Sequence, residues 1–111
     1  MKSDRLFLQH ILDAISKIDF FCKDLTEEEF IRDERTNLAV ARLLEIIGEA
    51  AKHISDKTIG NLSEVPWKDI VGLRNILIHE YFGVDLGIVW TTVRKDLPFL
   101  KKAISNYLEQ N

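Results

Sequence analysis

One stretch, Arg74-Asn75-Ile76-Leu77-Ile78-His79-Glu80-Tyr81, concentrates polar functional groups inside an otherwise apolar helix. A guanidinium stays charged and presents a planar fork that matches a pair of anionic oxygens. An imidazole titrates near neutral pH and serves as general acid or general base. Arg74 and His79 therefore offer anion binding and proton transfer within one segment. At about 100° per residue, Asn75 and His79 lie one turn apart on the same helix face, while Arg74 stands about 140° round from His79. A two-fold axis beside this helix would bring a second Arg74 and a second His79 into the same cleft, so a homodimer is a natural way to complete the constellation.

Taken singly, each residue has a plainer reading. His79 reads as a helix-end histidine, Arg74 as a surface ion-pair partner of Asp69 or Glu80, and Tyr81 as a rim aromatic with a wet hydroxyl. Glu49 sits between apolar neighbours further upstream, where a buried carboxylate would need pairing. It can reach Arg74 from an adjacent helix, a structural rather than catalytic role.

The elements that must position these groups are helical, because apolar residues recur at three- and four-residue spacing almost throughout. Ser3 caps a first helix with the stripe Leu8, Ile11, Leu12, Ile15, Ile18 and Cys22. Thr26 followed by Glu29 is a capping-box signature that opens a short acidic helix. A long helix is expected from about Arg32 to Ile54, with Leu38, Ala41, Leu44, Ile47, Ala51 and Ile54 inward; Ala39, Gly48 and Ala50 permit close helix approach. Residues 55–65 lack sustained periodicity and read as the main loop. Pro66 starts a helix that runs to about Tyr81, and Gly83 ends it. Asp85 caps a final stretch carrying Ile88, Val89, Val93, Leu97, Leu100, Ile104 and Leu108, with a kink or restart expected near Asp96 because Pro98 removes a backbone donor. The reading is an all-α bundle of four to five helices in a single domain spanning 1–111.

Composition narrows the function classes. The 111 residues leave no room for a second core. The single cysteine, Cys22, excludes an internal disulfide and a Cys-rich zinc site, and its place in an apolar stripe assigns it to the core. His10 and His53 have no partner at metal-ligand spacing, so neither a metal nor a cofactor is expected. Trp67 and Trp90 fall in apolar stripes and read as core. No Gly-rich phosphate loop and no Gly-x-Ser-x-Gly elbow is present. The net charge of −3 provides no global field for a polyanion. Residues 23–35 carry six acids against three bases, whereas residues 65–102 carry six bases against four acids, so a local anion site belongs in the C-terminal half. No apolar run suits a membrane span and Met1 leads into charged residues, which points to the cytoplasm.

The string Leu73-Arg74-Asn75-Ile76-Leu77-Ile78-His79-Glu80-Tyr81-Phe82-Gly83-Val84-Asp85, with Val89-Trp90 and Asp96-Leu97-Pro98, resembles the HEPN domains, and most closely the HepT-like toxins of HepT/MntA toxin–antitoxin pairs. Ile46-Ile47-Gly48-Glu49-Ala50-Ala51 and the Pro66-Trp67 helix start are similar to the same family, so the resemblance covers nearly the whole chain. It implies an all-helical homodimer with a metal-independent endoribonuclease site at the subunit interface, acting on RNA. It also implies a partner, a small nucleotidyltransferase antitoxin of the MntA kind, which in some pairs adenylylates the motif tyrosine, here Tyr81. His79 suits the base and acid roles and Arg74 the charge on the phosphorus oxygens, while Asn75 can orient the imidazole or bind phosphate. The alternative reading, favoured by the acidic balance, is a non-catalytic helical dimer that binds its nucleotidyltransferase partner or a nucleotide.

Overall fold

A computed structural model of the chain describes residues 3–79 and 85–110; of Ile76, Ile78 and His79 it describes the backbone alone. The helices are α1 (Asp4–Cys22), α2 (Glu27–Arg32), α3 (Glu34–Lys52), α4 (Asp56–Asn61), α5 (Trp67–His79), α6 (Leu86–Thr91) and α7 (Leu97–Gln110), with a π-helical turn at Thr92–Asp96 between the last two. No strand occurs among the described residues.

Local chemistry sets most of the boundaries. Ser3 accepts from the Leu6 amide at the start of α1. The Thr26/Glu29 capping box is fully formed at the start of α2, and the bond that Glu29 accepts from the Thr26 amide, then the Thr26 side chain, hold the Glu29 carboxyl below its usual range. Asp85 accepts from the Gly87 and Ile88 amides at the start of α6. Between α1 and α2 the chain reverses through Asp24, whose φ of 65° lies in the left-handed region that Asp tolerates better than most residues.

Three boundaries depart from the periodicity. The long helix expected from about Arg32 is α3, but it starts two residues later, because Asp33 closes α2 and caps α3, accepting from both the Thr36 amide and the Thr36 hydroxyl. Asn37, fully inside the joint, donates to the Phe30 and Ile31 carbonyls and satisfies the end of α2. The stretch read as loop contains α4, capped by Ser55 and tied to the start of α1 through Asp4, which accepts from the Ser55 amide, the Ser55 hydroxyl and the Thr58 hydroxyl. The expected interruption before Pro98 is the π turn, whose wider loop accommodates a residue with no amide hydrogen.

The core is one aliphatic cluster. Leu8, Ile11, Ile15 and Ile18 of α1, Val40 and Ile47 of α3, Leu77 of α5, Val89 of α6 and Ile104 of α7 are all but inaccessible. Each contributes about 1.5–3 kcal/mol of apolar burial. Cys22, Trp67 and Trp90 are buried as expected, and burial pushes the Cys22 thiol pKa up. Leu38 and Ile88, placed inward by their spacing, are exposed. Helix α3 packs against α1 on one side and α5 on the other, and that second seam carries the candidate site.

Candidate functional site

The seam between α3 and α5 is closer than ordinary side chains allow. A Cβ built on Gly48 would collide with the Cβ of Arg74 and stand 3.2 Å from the Ile70 carbonyl oxygen. The small residue at 48 thus determines where α5 lies and from what height the Arg74 side chain leaves the seam. The other end of α5 is anchored by Trp67, whose indole Nε1 donates to the Leu62 carbonyl at 3.0 Å.

Arg74 leaves the seam between two partners. Its Nε stands 3.0 Å from Glu49 Oε2 on α3. That nitrogen is enclosed, yet its N–H is not directed at the carboxylate, so the contact is an ion pair rather than a hydrogen bond. Its Nη1 donates to Asn75 Oδ1 at 2.9 Å. The second oxygen of Glu49 faces His53, with Nε2 to Oε1 at 3.3 Å. The His53 contact first, then the positive charges of Arg74 and Lys52, hold the Glu49 carboxyl below its ordinary value. A continuous polar chain therefore runs from His53 through Glu49 to Arg74 and Asn75. The guanidinium is fixed by its contacts with Glu49 and Asn75, and Arg74 lines an open cleft.

The sequence-derived residues are distributed as follows. Arg74, Asn75 and Glu49 meet at the α3–α5 seam. Glu49 does pair with Arg74, but it is half-exposed, not buried as its apolar neighbours suggest; Asp69 is not Arg74's partner in any hydrogen bond or ion pair of the described residues. Asn75 holds the guanidinium. His79 is the last described residue of α5, and its side chain lies outside the described residues, as do Glu80, Tyr81 and Gly83 altogether. Sequence reasoning missed Phe7, His10, Arg42 and His53, which line the same cleft as Arg74. The available signal was the four-residue spacing of Glu49 and His53, which puts an acid and an imidazole on one helix face. Among the described residues, no group of three or more His, Cys, Asp or Glu is arranged to hold a metal ion.

A guanidinium held by a carboxylate and an amide beside a cleft, five residues ahead of a histidine on the same helix, is suited to a phosphodiester. The family profile described as HepT-like ribonuclease matches residues 11–107, which includes every part of this arrangement on α3 and α5. The chain belongs to the HepT-like ribonuclease family. Among the relatives of this HepT-like chain, a "Probable ribonuclease HepT" of Thermococcus cleftensis is 42% identical over 90% of the chain and 91% of the relative. A "Putative RNase" of Caldanaerobacter subterraneus subsp. tengcongensis is 41% identical over 99% of the chain and 98% of its own length. A Methanocaldococcus jannaschii protein named "Gamma-glutamylcyclotransferase and putative RNase" is 41% identical, and the chain covers 98% of itself but spans about half, 49%, of that relative. No solved structure matches the chain with significance. Among the described residues, no helix is long and apolar enough to cross a membrane.

Proposed function

We propose that the protein is the toxin of a type VII-like toxin–antitoxin pair, a metal-independent endoribonuclease whose site is completed across a homodimer. The observation that carries this reading is the fixed guanidinium of Arg74, anchored by Glu49 and Asn75 and lining a cleft on the helix that also carries His79. Membership in a ribonuclease family supports the substrate class.

In the proposed reaction an imidazole takes the proton of a ribose 2′-hydroxyl as its oxygen attacks the adjacent phosphorus. The bond to the 5′-oxygen breaks, and that oxygen receives a proton from a second imidazole, leaving a 2′,3′-cyclic phosphate and a free 5′-hydroxyl. Two copies of His79, one from each subunit, divide the base and acid roles. Arg74 meets the charge that grows on the non-bridging oxygens. Glu49 and Asn75 keep the fork from rotating away, so its geometry is in place before substrate arrives.

Regulation is proposed to come from a nucleotidyltransferase antitoxin that transfers AMP from ATP to the Tyr81 hydroxyl, with pyrophosphate as the leaving group and the phenol proton released. The phosphodiester charge added two residues beyond His79 would compete for Arg74 and fill the substrate's place. The test is cleavage of labelled RNA by purified protein in excess EDTA. Wild type cleaves, while Arg74→Ala and His79→Ala lose 100-fold or more of rate at unchanged helical circular dichroism. Wild-type rates of cleavage in both variants, or loss of cleavage on chelation with rescue by a divalent ion, reject the mechanism. Light scattering at micromolar concentration checks the dimer, and intact mass after co-expression with the antitoxin, in wild type and Tyr81→Phe, checks the AMP transfer.

A further inference from the structure

Beside Arg74 the surface opens into a cleft of about 410 Å³ between α1, α3 and α5, a size within the range of small-molecule sites. Its contents differ from those of a simple anion pocket. Phe7 of α1 and His53 at the end of α3 stack nearly parallel, with centroids 5.1 Å apart and 19° between planes. His10 meets Phe7 edge-on at 6.1 Å. Phe7 is half-buried, whereas His53 and His10 are exposed, so the rings form a shelf open to solvent. Ile46 and Ala50 add apolar surface. Arg42, whose side chain is 71% exposed, borders the opening and is held by Glu45 at 3.0 Å.

We propose that this cleft is a nucleotide subsite of the RNA-binding surface: it takes the base of one residue next to the scissile phosphate on the Phe7/His53 shelf, and Arg42 takes the following backbone phosphate. The inference rests on the ribonuclease reading above and extends it to a part of the surface that lies outside the Arg74/His79 segment. Three observations select this occupant. The ring faces and apolar floor match a base, which every nucleotide possesses, and stacking on aromatic side chains is the usual way single strands are held without strict sequence choice. Both carboxylates that line the cleft are already paired with arginines, Glu45 with Arg42 and Glu49 with Arg74, so the site is not a cation cage. The cleft is continuous with Arg74, so a strand whose scissile phosphate sits on that guanidinium has its neighbouring residue at the shelf. Inorganic phosphate would leave the apolar floor unused.

The experiment uses the full chain and a fluorescein-labelled RNA dodecamer of mixed sequence whose sugars are all 2′-O-methyl, which blocks the attacking hydroxyl. Anisotropy reads its affinity for wild type, His53→Ala, His53→Phe and Arg42→Gln. We expect His53→Ala to bind about tenfold more weakly, His53→Phe to recover to within about twofold of wild type, and Arg42→Gln to weaken binding with a shallower salt dependence. On cleavable RNA the loss in His53→Ala falls mainly on KM. Recovery by phenylalanine separates a stacking face from an imidazole that merely orients Glu49, since phenylalanine cannot bond to the carboxylate. Equal affinity of wild type and His53→Ala overturns the subsite, as does a His53→Phe form as weak as His53→Ala. If wild type cleaves RNA while residue 53 is irrelevant to binding, the subsite alone falls; if wild type neither binds nor cleaves any RNA, the ribonuclease reading falls with it.

Discussion

Arg74 and Arg94 both belong to the base-rich C-terminal half, and their surroundings put them to opposite uses. Arg94 lies in the π turn, its guanidinium carbon 4.3 Å from the Trp90 ring centroid. Its Nη2 donates to the Leu25 carbonyl at 2.8 Å and to the Cys22 carbonyl at 3.4 Å, satisfying the exposed end of α1 and the turn after it. Its Nη2 is thus committed to backbone oxygens and its face to Trp90. Arg74 is held by Glu49 and Asn75 and lines the cleft between α1, α3 and α5. A count of bases over residues 65–102 treats the two alike, whereas their neighbours differ: one ties a backbone joint, and the other stands at the proposed RNA cleft.

Truncating each arginine in turn should have opposite consequences. Arg74→Ala should lower RNA cleavage at least 100-fold, with a melting temperature within a few degrees of wild type. Arg94→Ala should leave the cleavage rate of folded protein within about twofold while costing about 1–3 kcal/mol of stability, from two lost bonds to carbonyls and the cation–π contact. Rates on labelled RNA and urea melts of both variants give the two readouts. A large catalytic loss in Arg94→Ala would mean that the two arginines share one surface after all.

A smaller effect is expected from moving Arg74 without removing it. Gly48→Ala places a methyl group against the Arg74 Cβ, which is part of the helix itself and cannot rotate aside. We expect about 1–3 kcal/mol of destabilisation and a tenfold to hundredfold loss of kcat/KM, because a shift of about 1 Å in a positioning helix is enough to misplace the fork. Gly60→Ala is the matched control. Space at Gly60 is open, and alanine is the better helix former in α4, so stability should rise by up to about 1 kcal/mol with cleavage unchanged. Equal behaviour of the two alanine variants in melts and rates would show that the close approach does not position the site.

The α-class, the caps at Ser3, Thr26 and Asp85, and an interruption ahead of Pro98, though not its π form, were legible because each is local: a cap or a proline acts within one turn. The small residue at 48 was legible as permission for close packing, and Glu49 as a partner for Arg74, although its exposure was not. Helix α4 escaped because six residues are too few to display a period, and its stability comes from Asp4, more than 50 positions away. Leu38 and Ile88 obey the helical spacing but lie at the margin of their stripes, where neighbours rather than period decide burial. The Phe7/His53 shelf was illegible for the same reason as α4: it joins α1 to α3, and only the packing of the two helices shows that they share a wall. His79 and Tyr81 remain where the sequence puts them, in the motif string, outside the described side chains.

The comparison between a joint and a site can be sharpened once more at the other end of α1, where the effect should be smallest. Asp4 holds the start of α4 through the Ser55 amide and hydroxyl and the Thr58 hydroxyl, and it does not line the Arg74 cleft. The Ser55 hydroxyl first, then Thr58, stabilise its ionised form and set its pKa below the ordinary carboxylate value. The folded protein therefore binds this proton less readily than the unfolded chain. Its contribution is complete above the ordinary carboxylate pKa and fades as pH falls through that value toward the lower folded one. Asp4→Asn should cost about 1 kcal/mol at neutral pH, since a neutral amide keeps some of the hydrogen bonds and loses their charge assistance. The deficit relative to wild type should shrink as pH falls through the acid limb, and RNA cleavage at neutral pH should be unchanged. Urea melts of both proteins between pH 3 and pH 7 follow the first expectation. A deficit that is constant across that range would show that Asp4 acts by shape rather than charge, and a loss of cleavage would show that the α1–α4 joint and the Arg74 seam are energetically one unit.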